Sequence, residues 1–135
     1  MNALDIISEL RTFNNDGVDY CDHDRHLTNK DVERWSRACF MPRTQVFNEI
    51  AKCLAFGFYS SNLSFEFCDA VVNDLFGVIT SSEEAIPQLF WKVYLAFDEG
   101  EYYRENKRDQ NPVEVYTRPM IAQIVEAEDR WPSSH

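Results

Sequence analysis

Residues 21–26 read CDHDRH, which puts one thiol, two carboxylates and two imidazoles in six positions, and no other stretch of the 135-residue chain gathers so many groups able to bind a metal. Zinc takes three or four N, S or O donors at about 2 Å, and a loop this short rarely turns three of its own side chains onto one ion. Cys21, His23 and His26 would need a further donor, and the only histidine left is His135. The run from Asp22 to Glu33 also sets Asp, Asp and Glu at the first, third and twelfth positions of a calcium loop. Leu27 stands where the sharp turn needs Gly, His26 where an oxygen belongs, and Lys30 adds a cation at the ninth position. The stretch is expected to be a solvated connection that holds no metal.

Other chemistry is equally thin. A reactive thiolate needs a nearby cation or helix N-terminus, whereas Cys21 lies among acids that raise its pKa. There is no G-x-S-x-G, Walker A or G-x-G-x-x-G sequence, and with 23 acids in the chain an adjacent pair such as Glu83 and Glu84 arises by chance. The expectation is no catalytic residue, no cofactor and no enzyme.

The elements that would position any site are helical. Four Gly and five Pro are too few for a strand-and-turn architecture. Asn2 opens a first helix with Leu4, Ile7 and Leu10 on one face, and Thr28 with Asp31 marks a second whose inner face is Val32, Trp35 and Cys39. A third runs from about Arg43 to Phe58 with Val46, Phe47, Ile50, Cys53 and Leu54 in one sector. Ser64 caps a fourth, apolar at Phe65, Cys68, Val72, Leu75, Phe76 and Ile79, with Glu66, Asp69, Asn73 and, at the edge, Asp74 facing out. Residues 86–97, IPQLFWKVYLAF, are apolar on nearly all sides and predict the central, most buried helix. Pro112 leads to a short turn, and Pro119 sits at the first position of a last helix carrying Ile121, Ile124 and Val125. The sum is an all-α, single compact domain of about six helices: a helix and polar loop over 1–27, a helical core over 28–130 and a tail over 131–135.

Charge supplies the functional signal. The formal net charge is -10, and Ser61–Gly100 holds seven acids against one cation. Such a field repels nucleic acid and anionic lipid and attracts cations. No stretch approaches the roughly 18 apolar residues of a membrane span, and the acidic N-terminus MNALDIISELRTFNND does not fit a signal peptide. A cytoplasmic protein with reduced thiols is expected, with Cys39, Cys53 and Cys68 turned inward. In FDEGEYYRE, residues 97–105, Asp98, Glu99 and Glu101 stand beside Tyr102 and Tyr103, a mixture suited to an interface rim and anchor.

The runs SFEFCDAVVNDLFGVI, LFWKVYLAFDEGEYY and PVEVYTRPMI, within residues 45–125, give the chain a resemblance to small acidic bacterial proteins of the immunity type, which neutralise a cognate toxin. The resemblance implies a tight complex without chemistry, in which an acidic surface meets a basic partner such as a toxin domain. Glu66, Asp69, Asp74, Asp98, Glu99, Glu101, Tyr102 and Tyr103 are then the expected contact residues. Two alternatives stand beside it: a small helical enzyme or metal-binding protein built on residues 19–26, and a regulatory or structural subunit of an assembly.

Overall fold

The chain enters its first helix through a reciprocal cap. The Asn2 side-chain oxygen accepts from the Asp5 N–H at 3.0 Å, and the Asp5 carboxylate accepts from the Asn2 N–H at 2.9 Å. The computed structural model describes residues 1–15, 27–101 and 110–130, and over them the fold is six α-helices with one π-helical turn and no strand. Helix α1 is Ala3–Asn15, and Ala3, Ile6, Ile7 and Leu10 form its buried face. Leu4, expected on that face, is 67% exposed, because the stripe is centred one position further round.

Helix α2, Asn29–Cys39, starts as its sequence predicts: the Asp31 carboxylate accepts from the Thr28 N–H at 3.0 Å. Val32 and Trp35 are buried, while Cys39 is half-buried. The helix ends in a Schellman turn, with the Phe40 N–H donating to Arg37 O and the Met41 N–H to Ser36 O. Phe40 occupies the left-handed position, φ 56°, that glycine or asparagine usually fills. Left-handed backbone costs a residue with a Cβ about 1–2 kcal/mol.

Helix α3, Arg43–Tyr59, buries Val46, Phe47, Ile50, Ala51, Leu54, Ala55 and Phe58. Cys53, expected among them, is half-exposed on the side facing α1. Helix α4, Phe65–Ser81, is capped by Ser64, whose hydroxyl accepts from the Phe67 N–H at 3.1 Å. Its buried stripe adds Phe67, Val71 and Val78 to the expected Cys68, Val72, Leu75 and Ile79, while Phe65 and Phe76 lie at the half-exposed edges.

Helix α5, Gln88–Asp98, packs against α3, α4, the π turn and the last helix, which is the central position its apolar character predicts. Pro87 offers no capping side chain, and Asn48 of α3 supplies the cap instead, its Oδ1 accepting from the Phe90 N–H at 2.9 Å. Helix α5 is not the most buried helix: α3 and α4 each bury seven residues, and α5 buries four. Phe90, Val93, Ala96 and Phe97 are enclosed, whereas Trp91 is 38% exposed and Ile86 lies outside the helix at 38%. Four neighbours at one side of a short helix leave its other side open.

The last helical stretch begins earlier than expected. A π turn over Val113–Thr117 runs straight into α6, Arg118–Arg130, so Pro119 is not the first helical residue. Proline has no N–H for the carbonyl four residues back and its ring crowds that carbonyl, and the wider preceding turn eases the crowding. The wide turn aims Thr117 inward, where its hydroxyl donates to Ala96 O at 2.7 Å. Arg43 ties the remaining pieces together, pairing with Glu33 of α2 at 2.8 Å and with Glu84 of the α4–α5 link at 2.7 Å.

Candidate functional site

Helices α4 and α5 meet at an aromatic edge that reaches the surface. In α5 the positions 90, 93 and 97 form the core stripe, so 91, 94 and 98 form the stripe beside it. Tyr94 stacks on Phe76 of α4 with ring centroids 4.4 Å apart and planes at 17°, and Trp91 stacks on Tyr94 at 5.5 Å and 14°. Phe76 and Trp91 also meet, at 6.1 Å and 28°, so the three rings pack mutually into an apolar strip of which Trp91 is the exposed end.

Next to the strip stands a group of carboxyls. Asp69 of α4 was expected to face outward with Glu66 and Asn73; Glu66 and Asn73 do, but Asp69 is half-buried and turned toward Glu101 and Asp98. Its Oδ1 is enclosed without a hydrogen-bond partner. Burial, the adjoining Glu101 carboxyl and the charge of Asp98 push the Asp69 pKa up to about 8. Asn73 holds the pair in register, its Nδ2 donating to Glu101 Oε2 and to Asp69 O, each at 2.9 Å. The same carboxyls reach the neighbouring ring: burial first, then Asp98, Glu101 and Asp69 raise the pKa of the Tyr94 phenol.

The remaining expected contact residues fall into different places. Asp74 is drawn into the fold, its Oδ2 accepting from the Leu27 N–H at 3.2 Å. Glu99 is half-exposed at the end of α5. Tyr102 and Tyr103 lie outside the described residues, as does the whole Cys21–His26 stretch. A different aromatic group, Phe76, Trp91 and Tyr94, stands beside these acids; Phe76 and Tyr94 pack against the core as their apolar stretches predict, and Trp91 is exposed. The signal available was the spacing 91, 94, 98, which joins two aromatics to an acid on a single helical stripe.

Among the described residues no three His, Cys, Asp or Glu side chains are placed to hold a metal ion. No helix among them is long and apolar enough to cross a membrane. A separate open groove of about 830 Å3 runs between α1 and α3, bordered by Leu4, Ile7, Arg11, Phe56 and Tyr59. Comparison of the chain with protein-family models, with curated proteins and with solved structures gives no match.

Proposed function

We propose that the protein is a binding module that captures a cationic protein partner on the α4–α5 face, in the manner of an immunity or antitoxin-like inhibitor of a basic toxin. The observation that carries this reading is the Phe76–Tyr94–Trp91 stack bordered by Asp69, Asp98 and Glu101. Aromatic anchors beside charge are where interface energy concentrates, and an arginine side chain satisfies both halves at once, stacking on Trp91 while pairing with a carboxylate. The single cation in Ser61–Gly100 leaves the surrounding field strongly negative, which steers a positive partner toward this face.

The test is affinity capture from the native cell followed by binding kinetics at two salt concentrations. The captured partner is expected to be basic. Glu101→Lys should slow association and flatten its dependence on salt, and Trp91→Ala should mainly speed dissociation. An acidic partner, or an association rate indifferent to Glu101→Lys, overturns the reading.

A further inference from the structure

Phe40 is 94% exposed and held at φ 56°, so it is a large apolar side chain that meets neither the core nor a permissive backbone. The turn it occupies does not need it. Met41, the next residue, makes the inward contact with the core, and glycine would close the same pair of backbone hydrogen bonds without strain. Exposure of one aromatic is ordinary, but exposure combined with a strained backbone suits contact with something outside the fold.

The surface leading to it says what that something carries. Lys30, Arg34 and Arg37 recur along the exposed side of α2 and run toward Phe40. Arg34 is occupied by Glu9 and Asp31, while Lys30 and Arg37 enter no ion pair among the described residues. Glu33 stands between them on this side of α2 and is engaged by Arg43, so in a chain of net charge -10 the surface keeps two cations, Lys30 and Arg37, and ends in an aromatic. Its complement, an aromatic strip bordered by carboxyls, is present on the same molecule at Phe76, Trp91 and Tyr94 beside Asp69, Asp98 and Glu101.

We infer that Phe40, Lys30 and Arg37 of one copy dock on the Phe76–Tyr94–Trp91 face of a second copy, so that the protein covers its own acidic face until a cationic partner displaces the neighbour. The inference rests on the reading of that face as a receptor for cations. The contact is between unlike surfaces, so each copy offers both halves of it. The net charge on every copy opposes association, which keeps the contact weak enough to be displaced.

The experiment is sedimentation equilibrium of the wild type, Phe40→Gly and Trp91→Ala over a concentration series. The wild-type mass should rise above that of the monomer. Each variant alone should bind itself at least about tenfold more weakly, as loss of an interface anchor does. Mixing the two should restore a one-to-one pair, because the Trp91→Ala chain keeps Phe40 and the Phe40→Gly chain keeps the receiving face. Phe40→Gly should also melt a few degrees higher, which separates an anchor from a structural residue. A wild type that stays monomeric, a Phe40→Gly protein that associates like the wild type, or a mixture that regains nothing overturns the inference. An arginine-rich peptide titrated onto monomeric Phe40→Gly tests the receiving face by itself: binding there with no self-association sinks only the inference, and no binding sinks the reading beneath it.

Discussion

The carboxyls of Asp69 and Glu101 stand against each other between α4 and the end of α5, with Asn73 donating to one of them and Asp69 Oδ1 sealed from solvent. Two like charges in that position cannot both be carried cheaply, so one proton stays with the pair.

That proton makes stability depend on pH. Asp69 binds it in the native state up to about 8, against 3.8 for an ordinary aspartate. Between those values the native state holds a proton that the unfolded chain has released, so stability falls as pH rises through the window and levels off above it. Asp69→Asn should remove that slope and be the more stable protein on the alkaline side. Urea unfolding of both proteins at about pH 5 and about pH 9 measures it, and parallel pH dependences would contradict the assignment.

Gly100 leaves no room for a side chain. A Cβ there would lie 2.3 Å from Thr117 Oγ1 and 2.9 Å from Phe65 Cε1. Because Thr117 is anchored to Ala96 O, it cannot swing aside without losing a buried hydrogen bond. Gly100→Ala should destabilise by about 1–3 kcal/mol. The same change in a Thr117→Ala background should cost less, a coupling that a double-mutant cycle reads directly.

Neighbouring aromatics of α5 should behave differently. Phe90 is fully enclosed, and Phe90→Ala should cost about 3–5 kcal/mol. Trp91 is 38% exposed and supported by stacking, and Trp91→Ala should cost about 1 kcal/mol, the worth of an aromatic pair plus partial burial. Equal losses in chemical denaturation would place Trp91 in the core after all.

The thiols should react in order of burial. Cys68 is buried among apolar neighbours and its Sγ points at Leu54 O, so its pKa is driven far up, first by burial and then by Asp69 and Glu66. It should resist a thiol reagent until the protein unfolds. Cys53 is half-exposed with a pKa raised by burial and Glu49, and should label slowly in the native state. Site-resolved mass spectrometry during labelling distinguishes the two, and equal rates would refute the order.

The parts of the fold legible in the sequence were those with local causes. Thr28 with Asp31 and Ser64 before Phe65 are caps readable from adjacent residues, and the helices begin where they stand. The outward or inward turn of Trp91 and Asp69 was not legible. Residues 86–97 carry no broad polar stripe to mark an open side, so only the placement of α3, α4 and α6 decides that Phe90 is covered and Trp91 is not. The direction of Asp69 depends on Glu101 and Asp98, which belong to another part of the chain. The π turn before Pro119 and the left-handed Phe40 break local preference, and a reading built on local preference passes over both. For the candidate site, the acids were visible in the charge count, Tyr102 and Tyr103 lie outside the described residues, and of the three stacked rings only Trp91 departs from the core position its stretch predicts.

The cap that Asn48 places on α5 constrains the route by which the chain folds. The N–H it satisfies belongs to a residue 42 positions later, and a helix of 11 residues is too short to persist by itself in water. Helix α5 therefore has no independent existence to contribute early in folding. The Asn48 bond forms only with α3 alongside, so the first turn of α5 gains its cap together with the α3–α5 packing. Asn48→Ala should accordingly slow folding as well as lower stability, marking the α3–α5 seam as part of the nucleus from which the remaining helices grow.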